Sequence, residues 1–163
     1  MFNKKNISKF LVEAKKATYA AGDKAQTINE TDKSKSIYYE KGDYKYHDNY
    51  FGGEPFGGRE VVFYQDQPIY MMTYYGKVLE SSIDLKEIYK VLQHALSQIP
   101  LDYPYRGPKE FIENNLIYKN DYQGEINDFS GQETISTLDG KIIFHTSYSG
   151  GLICQRWLCH RPP

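Results

Sequence analysis

Two stretches of this chain repeat one another. Aligning Glu60 with Glu133 pairs Asp66 with Asp139, Ile69 with Ile142 and Tyr75 with Tyr148 without a gap, over a hairpin of equal length. Upstream, Gly58 matches Gly131 and Phe56 matches Phe129; one inserted residue then brings Gly52 onto Gly124, Tyr50 onto Tyr122 and Tyr46 onto Tyr118. The shared unit reads Tyr-x-x-x-Tyr-x-Gly, a short loop, Phe-x-Gly-x-Glu, a strand, a turn around Asp, and a strand ending in Tyr. Alternating aromatics punctuated by glycine signal strands and hairpins, and a helix-periodic segment precedes each unit. The expected class is α+β: an internally duplicated helix-plus-antiparallel-strands unit, forming a pseudo-twofold, mainly antiparallel sheet with two principal helices. The 163 residues suit one domain, 1–163, with half-repeats at 6–82 and 83–153 and a C-terminal tail at 154–163.

The first helix is expected in "NISKFLVEAKKATYAAG", where Ile7, Phe10, Leu11, Ala14 and Thr18 share a face, Asn6 caps the start and Gly22 ends it. "DKAQTINETDKSKS" is polar and reads as a mobile loop. The second helix lies in "SIDLKEIYKVLQHALSQIP", with Asp84 and Glu87 as a capping box, Leu85, Ile88, Leu92, Leu96 and Ile99 as its buried stripe, and Pro100 as its stop. A short helix is expected over "PKEFIENN", and a two-residue turn at Asp139-Gly140.

The glycine-rich run "YFGGEPFGGRE" raises the question of a phosphate cradle. Such a cradle needs Gly-Lys-Ser or Gly-Lys-Thr entering a helix, whereas Arg59-Glu60 here enters the strand pattern "VVFY". The glycines are read instead as a bend or bulge between strands. A net charge of −1 argues against general nucleic-acid binding, and no stretch is apolar for long enough to span a membrane. With charge interleaved in "MFNKKNISKFLVEAKK", no signal peptide is read and a cytoplasmic location is expected. Cys154, Cys159 and His160 lack a second ligand pair, so no metal is expected; Cys154 reads as a buried hydrophobe and Cys159 as a free tail thiol. No cofactor motif is present.

Residues kept in both halves serve the scaffold first; one-sided residues are sharper candidates for function. Glu60 and Glu133 are ambiguous: they can converge as an acid and base pair, or each can serve the bend beside it. "DYPYRGP" has no counterpart in the first half, and its Arg106 offers a rigid fork for a carboxylate or phosphate, or a salt bridge to Glu60 or Glu133. His47 and Asp48 face Lys119 and Asn120 in the alignment. The 16 tyrosines supply apolar faces with hydrogen-bonding tips.

At "YKYHDNYFGGEPFGGREVV", "PYRGP" and "YSGGLI" the chain resembles an uncharacterised bacterial family, domain of unknown function 5680, from the first helix to about Ile153. That family often follows a Cro/repressor-type helix-turn-helix, which implies a sensing or regulatory role. It supplies no catalytic residues to carry over. Here one helix precedes the sheet and no helix-turn-helix pair fits before Ser36, so direct transcriptional control is not expected. The leading expectation is a non-catalytic module binding a small polar or aromatic ligand in a groove between the halves. Tyr50, Tyr105, Arg106 and Tyr148 would line it, with Asp48, Glu60 and Glu133 fixing orientation. The alternatives are a protein-interaction partner, immunity-like or dimerising through a tyrosine face, and a small hydrolase or lyase with Glu60 or Glu133 as general base and Arg106 stabilising charge. Monomer and homodimer both remain open.

Overall fold

In a computed structural model, which describes residues 3–20, 26–79 and 84–154, nine antiparallel strands form one sheet. Helix α1 (Lys4–Ala17) is followed by β1 (Ile28–Asn29), β2 (Lys35–Lys41), β3 (Tyr44–Gly52), β4 (Phe56–Tyr64) and β5 (Gln67–Val78). Then come α2 (Leu85–Ser97), β6 (Glu110–Glu113), β7 (Leu116–Glu125), β8 (Asp128–Thr137) and β9 (Ile142–Leu152). The strand order is β1-β2-β3-β4-β5-β9-β8-β7-β6, so the two long strands β5 and β9 meet at the centre. Strand alternation sends Tyr46, Val62, Tyr70, Met72, Ile135 and Phe144 to one face, where they are buried. Helix α1 seals one part of that face through Ile7, Phe10, Leu11 and Ala14, and α2 seals the other through Ile88, Val91, Leu92 and Ala95. The opposite face carries exposed Lys45, Arg59, Thr73, Tyr75, Lys119 and Asp121. Among the described residues no helix is long and apolar enough to cross a membrane.

Several local expectations change. Asn3, not Asn6, caps α1, accepting from the Lys5 amide, and the helix stops at Ala17; Gly22 lies outside the described residues. Asp84 caps α2 as expected, accepting from the Lys86 amide. The polar loop before Ser36 contains the short strand β1, tied to β2 through Ile28 and Ser36. "PKEFIENN" holds strand β6 rather than a helix: Phe111 and Glu113 are half-buried while Glu110 and Ile112 are exposed, a period of two, and Asn114 and Asn115 turn the chain with positive φ. Cys154 is exposed rather than buried and is not a free thiol; Cys159 and His160 lie outside the described residues.

The glycine run is a hairpin. β3 ends at Gly52, whose φ of 82° needs glycine, and β4 opens at Phe56. Gly57 and Gly58 continue β4 in regular register, so the run makes the expected bend between strands and the alternative bulge is not there. It lies farther on, between Val62 and Phe63, where Ile69 is left unpaired; an equivalent shift between Ile135 and Ser136 leaves Ile143 unpaired. The turns differ: residues 65–66 in the first hairpin, residues 138–140 in the second. The hairpins are therefore unequal in length. Gly58 faces Tyr74 and Gly131 faces Tyr148, so Tyr148 corresponds in register to Tyr74, not Tyr75.

Candidate functional site

Period-two alternation places Asp48 of β3 and Glu60 of β4 on the core face, and the register sets them directly opposite one another. Like charges so placed repel. Each is held by a different group. Lys15, reaching across from α1, brings its ammonium to 2.6 Å from Glu60 Oε2 and also donates to the Tyr105 carbonyl. Asp48 Oδ1 accepts a hydrogen bond of 2.6 Å from the Tyr74 hydroxyl on β5. Burial, and then the charge of Glu60, push the Asp48 carboxyl up to about 7, against the pull of Tyr74, Lys15 and Arg106. Burial likewise lowers the Lys15 pKa, with Glu60 opposing it.

A second polar cluster lies on the same face. Arg106, in the loop after α2, donates from Nε to Glu133 Oε2 at 2.7 Å, and its guanidinium lies 5.6 Å from the centre of the Tyr74 ring. Burial opposes the Arg106 charge, yet Glu133 and then Glu60 hold its pKa above the ordinary guanidinium value. The Tyr118 hydroxyl donates to the other Glu133 oxygen and accepts from the Gly107 amide. Asn120, directly opposite Glu133, donates to the Gly107 carbonyl at 2.9 Å and accepts from the Tyr148 hydroxyl at 2.7 Å. The "PYRGP" loop is thereby tied to the sheet through Arg106 and Gly107.

Above the Asp48–Glu60 pair lies a cavity of about 240 Å³, lined by Tyr19, Lys35, Asp48, Tyr50, Gly52, Gly53, Phe56, Glu60, Tyr74, Tyr89 and Arg106. At ~30 Å³ per water this is room for about eight waters. The hairpin at its rim is fixed by Glu54, which accepts from the Val78 amide and from the Tyr89 hydroxyl. Asp48, Tyr50, Glu60 and Arg106 are thus brought together. The other expected site residues do not line this cavity: Tyr105 stacks on Phe129 at 3.8 Å and borders a smaller void with Lys15, Glu60 and Arg106, and Glu133 is enclosed by Arg106 and Tyr118. Tyr148 borders a separate groove with Tyr122, Gly131 and Gln132. The cavity draws most of its walls from the first half of the chain, with Tyr89 and Arg106 from the second, not evenly from both halves.

Sequence reasoning missed Lys15, Tyr74, Phe56 and Tyr89. Lys15 had a signal: it follows Leu11 by one helical repeat and so falls inside the apolar stripe. Phe56 and Tyr89 become neighbours, with ring centres 6.1 Å apart, only once α2 lies on the sheet.

The family model described as Domain of unknown function (DUF5680) matches residues 48–153. The match opens at Asp48, so the resemblance is narrower than expected: it takes in Glu60, Arg106 and Glu133 but not α1 with Lys15. No curated protein and no solved structure matches the chain. With more than half of its length matched, the chain belongs to this family.

Proposed function

We propose that this family member is a non-catalytic, ligand-sensing module built from two copies of one helix-plus-strands unit. Its ligand is a small polar or aromatic molecule seated over Asp48 and Glu60. The observation that carries the reading is the opposed, buried carboxylate pair facing an aromatic-walled cavity. A buried carboxylate beside another costs stability, and cavities combining apolar walls with a few convergent polar groups are where ligands bind. Duplication is supported by the strand order about the β5–β9 seam and by matching cross-strand pairs, Tyr50–Gly58 with Tyr122–Gly131 and Asp48–Glu60 with Asn120–Glu133.

The test is a screen of small polar and aromatic compounds by amide correlation NMR, on the wild type and on Tyr50→Ala. Tyr50 is half-buried in the wall, so its truncation leaves the core packed. A binder should perturb the amides of β3, β4 and β5 around the cavity, and the response should vanish in the variant. Binders that respond only along β7 and β8, or that ignore Tyr50→Ala, would overturn the reading.

A second reading, a small hydrolase or lyase, is favoured by one observation: Asp48 titrates near 7 in a cavity shared with Arg106, a value suited to general acid or base catalysis. In that reading Asp48 is the acid or base. Turnover of a bound compound, lost in Asp48→Asn while binding persists, would put it first.

A further inference from the structure

We infer that the ligand of the Asp48 cavity is a small organic cation, an ammonium or guanidinium compound that supplies the positive partner Asp48 lacks. This rests on the ligand-binding reading above. The charge accounting is local. Glu60 is paired with Lys15 at 2.6 Å and Glu133 with Arg106 at 2.7 Å. Asp48, equally buried, holds only the neutral hydroxyl of Tyr74; among the described residues no basic nitrogen lies in ion-pair range of it. Tyr74 engages Oδ1 and leaves Oδ2 without a hydrogen-bond donor among those residues.

The walls suit the same chemistry. A cation is attracted to an aromatic face within about 6 Å of the ring centre, and Tyr50, Phe56 and Tyr89 line the cavity beside Asp48. The Tyr74 face is already taken by Arg106. An anionic ligand would meet two carboxylates, and the Nε donor of Arg106 is committed to Glu133. Lys35 stands at the rim as an exposed residue, where solvent weakens its repulsion.

The cation and a proton compete for the same carboxylate. Asp48 faces Glu60 on β4, Tyr74 on β5, Lys15 on α1, Arg106 in the loop and Tyr50 on its own strand. Protonated up to about pH 7 by burial and by Glu60, Asp48 becomes a full anion above that pH. Affinity for a permanent cation should therefore rise with pH through neutrality and fall by up to about tenfold per pH unit below it.

Three probes of one skeleton test the inference: isobutylamine as cation, isobutanol as neutral isostere and isobutyrate as anion, each titrated into the full chain and followed by amide NMR. The amine should bind at the cavity about tenfold or more tighter than the alcohol near pH 8, an advantage of the size expected for a charge-assisted contact. That preference should shrink near pH 6 in the unmodified protein and disappear in Asp48→Asn, which keeps an acceptor for Tyr74. If isobutanol or isobutyrate binds at the cavity as well as the amine does, the cationic class is wrong and the ligand-binding reading stands. If none of the three perturbs the cavity amides, both are overturned. The pH arm uses the native chain, so the outcome does not depend on the variant folding.

Discussion

The Asp48–Glu60 and Asn120–Glu133 pairs occupy like places in the sheet and differ in what stands opposite the glutamate and in what lies above it. In each, two polar side chains face one another across a strand pair, a tyrosine from the next strand reaches the first of them, and that tyrosine crosses a glycine: Tyr74 over Gly58, Tyr148 over Gly131. In the second pair an amide stands opposite the glutamate, and the "PYRGP" loop fills the space above. In the first pair a second carboxylate stands there, and the space is a cavity. The second region teaches what a better satisfied version looks like: Glu133 has a neutralising partner in Arg106 and a donor in Tyr118, and Asn120 both donates and accepts. The first region keeps an acid that its surroundings do not neutralise, and the proposed binding role rests on that acid.

The largest expected effect tests whether the second region is the structural one. Glu133→Ala leaves the Arg106 guanidinium buried without its carboxylate and removes the acceptor of Tyr118, at a cost of about 3–5 kcal/mol. Glu60→Ala should cost less, about 1–3 kcal/mol, because Lys15 still donates to the Tyr105 carbonyl and has Asp48 nearby. Urea denaturation of both variants at neutral pH ranks them. Equal losses would erase the distinction between the regions.

Next comes the exchange of the differing residue. The folded chain keeps the Asp48 proton up to about pH 7, whereas an unfolded aspartate releases it near pH 4. Between those values the folded state binds more protons, so rising pH destabilises it, by up to about 4 kcal/mol at 1.4 kcal/mol per unit. Asp48→Asn should remove that decline: it is neutral near pH 4 and more stable than wild type near pH 8. The reverse exchange, Asn120→Asp, should destabilise near pH 8 by about 2–3 kcal/mol, since it sets a second carboxylate against Glu133 and strips the Gly107 carbonyl of its donor. Melting temperatures across pH for the two variants check both. Parallel curves for wild type and Asp48→Asn would show that Asp48 titrates as an ordinary acid and remove the electrostatic contrast.

Much of this contrast was legible in the chain. The alternation of Tyr46, Asp48 and Tyr50 on one strand and Gly58, Glu60 and Val62 on the next assigns their faces, and the repeat marks Asp48 as one-sided against Asn120. The register of the second hairpin strand was not legible, because a turn longer by one residue shifts Tyr148 from Tyr75 to Tyr74 and an ungapped alignment hides it. Nor was the separation of Glu133 from the cavity. It depends on how the loop after α2 folds back, and neither proline stiffness nor tyrosine content in that loop encodes its destination. Strand β6 reads as a helix in sequence because Pro108 imitates a helix start, and its four residues are too short a run for periodicity to decide.

The smallest effect sharpens the comparison at its glycines, and it returns to the run that first suggested a phosphate site. Gly58 and Gly131 lie within regular strands, where any residue's backbone is allowed, so glycine is needed there for space alone. A Cβ on Gly58 would stand 2.7 Å from the Tyr74 hydroxyl and 2.5 Å from the Asn49 carbonyl oxygen; one on Gly131 would stand 2.4 Å from the Tyr148 hydroxyl. Gly58→Ala and Gly131→Ala should each cost about 1–3 kcal/mol as overpacking, but only the first should disturb the cavity, by displacing the hydroxyl that holds Asp48. Gly53, in the same run, has ordinary φ and nothing within 4 Å of a built Cβ, so Gly53→Ala should stay within about 0.5 kcal/mol of wild type. Denaturation midpoints read the costs, and the pH of the Asp48 transition, followed by side-chain carboxyl NMR, reads the displacement. If Gly58→Ala leaves that transition where it was, Tyr74 does not position Asp48, and the two tyrosine–glycine crossings are packing alone.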